Sequence, residues 1–141
     1  MHNAVIPMVK GMSNYSQNPA QTVHYYSHLR MVRKIKKEET NIQNQIRKDI
    51  SDIAVTFRAN NYAFKIGDRY MKSGLPKGFP DLFGFRRSDQ KFLVLEIKTE
   101  KGVQSKEQKE ILKSFKAAGV IAGVARNSDE AREIILNECE R

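Results

Sequence analysis

The chain is 141 residues long, 40% hydrophobic and 29% charged, with 25 basic against 16 acidic side chains and a net charge of +9. That length suits one domain with a sizeable core; no apolar run is long enough to span a membrane as a helix, and the single cysteine, Cys139, excludes an intramolecular disulfide. The basic excess favours an anionic partner, nucleic acid before a membrane surface, and gives no pointer to a small-molecule substrate.

Residues 1–33 read as a polar, irregular N-terminal arm punctuated by Pro7, Gly11 and Pro19, with a short helix near TVHYYSHLRMVRKIKK. No basic region followed by an apolar one opens the chain, so no signal peptide is expected. Arg30, Arg33, Lys34, Lys36 and Lys37 place five positive charges within eight residues. Such a run reads first as a solvated helix face and second as a phosphate contact. His24 and His28 share a helical spacing, but no third ligand stands at a zinc spacing.

From residue 38 the pattern sharpens. Ile42, Ile46, Ile50 and Ile53 mark one face of an amphipathic helix, roughly residues 37–53. AVTFRA and NYAFKI read as short strands, and GDRYMKSGLPKG as a loop rich in glycine and basic residues. LFGFR and KFLVLEIKT flank RSDQ and predict a hairpin. In SKEQKEILKSFKAAG, Ser105 and Gln108 form a capping-box pattern, and Gly119 is the stop. VIAGVA, residues 120–125, is a short apolar strand, and SDEAREIILNECE a final helix. The strands at 91–98 and 120–125, joined through a helix, should be parallel with a right-handed crossover.

Strand alternation puts Leu93, Leu95 and Ile97 on one face and Val94, Glu96 and Lys98 on the other. Pairing Arg87 with Gln90, or Arg86 with Lys91, places Asp81 directly opposite Glu96. Opposed residues have Cβ atoms about 5 Å apart, and two like charges so placed repel unless something positive separates them. A divalent cation would resolve the conflict, with Lys98 adding charge on the same face. The plain alternative is a pair of solvated strand-end carboxylates, one of them bound to Lys98.

Pro80-Asp81 followed by Glu96-Ile97-Lys98 resembles the PD-(D/E)xK nuclease superfamily. KGFPDLFGF, FLVLEIKTEKGVQSKEQ and AAGVIAGVARN are similar to successive blocks of its virus-type replication-repair nuclease (VRR-NUC) domain, and EETNIQNQI to the leading helix. The resemblance covers roughly residues 38–130; residues 1–33 resemble nothing known. It divides the chain into an arm, 1–33, and a nuclease domain, 34–141. It implies an α/β fold with a restriction-endonuclease-like αβββαβ core, a mixed central sheet flanked by helices, in agreement with the order read from periodicity. It also implies a cytoplasmic protein of bacterial or phage type that hydrolyses phosphodiester bonds in DNA with Mg²⁺ or Mn²⁺.

On that resemblance, Asp81, Glu96 and the Ile97 carbonyl are the expected metal ligands. Lys98 is expected to orient the attacking water or to stabilise charge in the transition state, and Glu39 to be a further acid from the first helix. Gln108 faces inward with Ile111, Leu112 and Phe115. It either completes the capping box alone or also orients Lys98 or the water. Lys106, Lys109, Lys113 and Lys116 form a basic stripe on the outer side of their helix. With Arg58, Lys77 and Arg126 they are candidate DNA contacts, and Gly74 and Gly78 are candidate points of close DNA approach. Cys139 has no histidine partner in view and reads as packing or exposure rather than a nucleophile.

No sequence-reading module is visible, so recognition of DNA shape and phosphates is expected. Small stand-alone proteins of this kind resemble Holliday-junction resolvases, which act as dimers on branched DNA. Val5, Ile6, Met8, Tyr25, Tyr26 and Met31 lack a place in the core and suit a homodimer contact. The other readings are a flap- or end-processing nuclease and a DNA-binding module with a vestigial site.

Overall fold

In the computed structural model, residues 19–60, 63–72 and 74–137 are described. Val5, Ile6, Met8 and Cys139 lie outside them. The chain divides into two compact units, residues 1–36 and 37–141.

Helix α1 runs Pro19–Asp49. The short helix expected near TVHYYSHLRMVRKIKK is present, but it is continuous with the helix expected over 37–53 rather than separate from it. The reason is local: from Ala20 to Asp49 there is neither glycine nor proline to break the ladder. At the other end the helix stops at Asp49 rather than at Ile53, with Arg47 and Lys48 in the last turn, where the macrodipole favours positive charge. Ile53 still packs against the core from the turn that follows.

Strand β1 (Ala54–Arg58) is followed by β2 (Ala63–Ile66), β3 (Arg69–Lys72), β4 (Leu82–Arg86) and β5 (Phe92–Ile97). Helix α2 (Lys106–Ala117), β6 (Ile121–Ala125) and α3 (Ser128–Asn137) complete the chain. The β3 segment corrects the reading of GDRYMKSGLPKG as loop. Ile66 pairs with Arg69 across a two-residue turn opened by Gly67, whose φ of 58° suits a tight hairpin.

The main sheet has the order β1-β4-β5-β6, antiparallel except for the parallel pair β5 and β6; β2 and β3 form a separate two-stranded sheet. The α/β fold, with a mixed four-stranded sheet flanked by helices, is therefore as expected. Strand β5 is buried on both faces, which explains its near-continuous apolar run. Leu93, Leu95 and Ile97 join Ile46 and Ile50 of α1 and Ala131 and Ile135 of α3 in one core. Val94 and Ala122 meet Leu112 of α2 in the other.

The register pairs Leu82 with Leu95 and Phe83 with Val94. One step further along, Asp81 faces Glu96. The parallel pairing of Glu96 with Val124 and Ile97 with Ala125 brings the C-terminal ends of β5 and β6 to one edge.

Candidate active site

Glu96 is fully buried at the end of β5, and Lys98 is 9% exposed. Burying a carboxylate is costly unless it is paired. Here Lys98 Nζ stands 2.7 Å from Glu96 Oε1, and Gln108 Nε2 donates to the same oxygen at 2.5 Å. Glu96 Oε2 is buried and accepts no hydrogen bond.

Asp81 reaches the site from the residue before β4. Its Oδ2 accepts the Ile97 N–H at 2.9 Å, taking a main-chain donor at the sheet's edge. Its carbonyl accepts from Ala59 N–H at 2.8 Å and from Gln43 Nε2 at 3.3 Å. The aspartate is thus tied to β5, to the chain just after β1, and to α1. Glu39, one turn before Gln43 on α1, places its carboxylate 4.0 Å from Lys98 Nζ.

Each group's acidity follows from this packing. Burial raises the Glu96 carboxyl, Asp81's charge raises it further, and the Lys98 hydrogen bond only partly opposes them, leaving it at about 7. Burial also raises Asp81, against the Ile97 N–H and the charge of Lys98. Burial pulls Lys98 down, but Glu96, Glu39 and Asp81 outweigh it and hold the ammonium above its ordinary value. In the absence of a cation, burial thus disfavours the charged form of both facing carboxylates.

Gln108 completes the capping box and also reaches the site, through Glu96. Its Oε1 accepts the Ser105 N–H at 2.8 Å while its own N–H donates to Ser105 Oγ, so the capping box is complete. Its Nε2 remains for Glu96; the partner is the carboxylate, not Lys98. Gln43 was missed by the sequence reading. Its signal was a polar residue on the apolar face of Ile46 and Ile50, four positions after Glu39.

The basic candidates divide. Arg58 is exposed at the end of β1, and its charge reaches Asp81. Lys106 and Lys109 are exposed on α2, Lys106 standing 3.9 Å from Glu110. Lys77 is ion-paired with Glu107 at 2.5 Å. Arg126 donates to the Gly102 carbonyl at 3.4 Å. Gly78 has φ of 85°, and a Cβ there would lie 2.8 Å from the Glu107 carbonyl carbon, so its freedom serves packing on the first turn of α2. Gly74 has open space around its Cα.

Among the described residues, no group of three or more His, Cys, Asp or Glu side chains is placed to hold a metal ion. No helix among them is long and apolar enough to cross a membrane. Neither the curated proteins nor the solved structures compared with this chain gave a match. The VRR-NUC domain, in contrast, matches residues 25–129, a span containing Glu39, Asp81, Glu96, Lys98 and Gln108, and the chain therefore belongs to this nuclease family.

Proposed function

We propose that the protein is a metal-dependent, structure-specific DNA endonuclease that hydrolyses phosphodiester bonds in four-way junctions as a homodimer. Family membership supplies the reaction class. The observation that carries the metal requirement is Glu96 Oε2, buried without a hydrogen-bond partner beside a second carboxylate. A buried polar atom left bare is costly, and a cation offsets both that cost and the repulsion from Asp81.

Asp81, Glu96 and the Ile97 carbonyl offer oxygen donors suited to Mg²⁺ or Mn²⁺, which keeps its remaining positions for water. When bound, such an ion lowers the pKa of a water molecule and polarises the scissile phosphate. Gln108 and Lys98 both engage Glu96 Oε1, which reserves Oε2 as the ligand atom. Lys98 stays protonated through neutral pH, so it serves as a donor to charge developing on the phosphate rather than as a base. Glu39 helps hold that ammonium at the end of β5. Arg58, Lys106 and Lys109 are the proposed phosphate contacts. Lys77 and Arg126 would have to exchange Glu107 and Gly102 for phosphate to join them.

A two-fold symmetric junction requires two opposed cuts, which a C₂ dimer of one-site chains supplies. Val23, Tyr26 and Met31, exposed by 69, 45 and 54% on α1, support a second chain as partner. The test is cleavage of matched duplex, flap, fork and four-way junction with Mg²⁺ or EDTA, alongside light scattering. Paired nicks in the junction by a dimer are expected. A monomer preferring flaps would overturn the junction reading, and cleavage in EDTA would overturn the metal.

A further inference from the structure

The β2–β3 hairpin stands apart from everything the catalytic edge requires. It lies between β1 and β4 in the chain but pairs with neither, forming its own two-stranded sheet. A two-stranded hairpin is marginal on its own in water, yet this one leaves Ile66, Tyr70 and Met71 exposed by 62, 73 and 49%. The register sets Ile66 opposite Arg69. Alternation then places Ile66, Arg69 and Met71 on one face and Tyr70 on the other. Apolar or aromatic side chains are thus exposed on both faces.

A flat protein surface covers one face of a ribbon. Two exposed faces fit a slot with two walls, and stacked bases or a DNA groove provide one. The charge agrees: residues 58–77 carry five basic side chains and one acidic. Position agrees as well, because the insertion is rooted at the site by the Ala59 N–H donating to the Asp81 carbonyl at 2.8 Å.

We propose that the β2–β3 hairpin is a wedge that engages unstacked bases beside the scissile phosphate, with Tyr70 stacking on a base and Ile66 and Met71 filling the opened step. This inference rests on the nuclease reading and names the substrate feature the site selects. Apolar wedges and aromatic platforms are established ways of holding unpaired bases. From Ala59 to Ile66 the extended chain reaches at most about 23 Å. At roughly 3.4 Å per base step, that is about seven steps from the cut. Branched DNA, whose bases unstack readily at the branch, would then be preferred without any base-specific contact.

The test uses the full chain on four-way junctions and forks carrying 2-aminopurine within seven nucleotides of the cut. Binding is followed by fluorescence in EDTA, and cleavage is followed in parallel with Mg²⁺. The wild type and Tyr70→Phe should brighten the probe. The double variant Tyr70→Ala with Ile66→Ser should lose most of that rise and cut branched DNA about tenfold more slowly. Its melting temperature should be unchanged, since both side chains are exposed. A double variant equal to wild type in fluorescence and cleavage would overturn the wedge alone. A wild type that cuts no DNA would overturn the nuclease reading and the wedge with it.

Discussion

Gln108 Nε2 and Lys98 Nζ converge on one oxygen of Glu96, at 2.5 and 2.7 Å, and leave the other oxygen bare. Gln108 also closes the capping box of α2, so two substitutions separate its roles. Gln108→Ala should cost about 1 kcal/mol of stability through the lost cap and slow cleavage. Gln108→Glu keeps a residue suited to the box but sets a third carboxylate against Glu96. It should lose cleavage at least tenfold and, because the added charge repels Glu96, also lower the metal-free melting temperature as pH rises. Equal activity of Gln108→Glu and wild type would remove Gln108 from the site.

Lys98 holds the buried Glu96 carboxylate. Lys98→Ala should lower the cleavage rate by about 10²–10³, the usual cost of removing one group that stabilises transition-state charge. DNA affinity should be largely retained, because it comes from many phosphate contacts. Single-turnover rates and a gel-shift titration measure the two separately.

The raised carboxyl of Glu96, at about 7, links stability to pH. The folded state holds a proton that the unfolded state releases near the ordinary carboxylate value, so this contribution is present at low pH and is lost as pH rises through about 7. Metal-free protein should therefore lose up to about 3 kcal/mol between pH 4.5 and 7.5. Asp81 is raised as well and contributes in the same direction. Mg²⁺, which needs the ionised pair, should stabilise most at the upper end of this window. Melting scans across pH check this, and Glu96→Gln should flatten the metal-free slope. Asp81→Asn should raise the metal-free melting temperature slightly and weaken the Mg²⁺ effect.

Gly78 packs against the helix turn that carries Gln108. With φ of 85° and a built Cβ 2.9 Å from Gln108 N, Gly78→Ala should destabilise by roughly 2 kcal/mol. By pushing on the start of α2 it should also lower the cleavage rate. Denaturant unfolding and initial rates test both effects. A variant as stable as wild type would mean that the loop shifts freely.

The Asp81–Glu96 confrontation was legible in the sequence because RSDQ between two apolar runs fixes the hairpin register, and the register fixes which residues oppose. The β5-α2-β6 crossover was legible for a similar reason: a capping box, a stop glycine and an apolar strand follow in order. A helix near TVHYYSHLRMVRKIKK was legible in the sequence, but its continuity with the next helix was not, because the apolar stripe begins only at Ile42. Strand β3 was hidden because glycine and basic residues around Arg69–Lys72 also make a loop, and only Gly67 marked the turn. Gln43 and the partner of Gln108 depend on which helix turn meets which strand end, a tertiary relation that no local pattern encodes.

The central claim is that Asp81 and Glu96 hold a divalent cation that drives DNA cleavage. The most direct measurement is the rate of cutting of a labelled four-way junction, titrated with Mg²⁺ from an EDTA-treated start, for wild type and Glu96→Gln at equal DNA occupancy. The account predicts no cleavage without the ion, saturable paired nicking by wild type, and no cutting by Glu96→Gln at any Mg²⁺ concentration. Cleavage in EDTA, or wild-type turnover by Glu96→Gln, would contradict it.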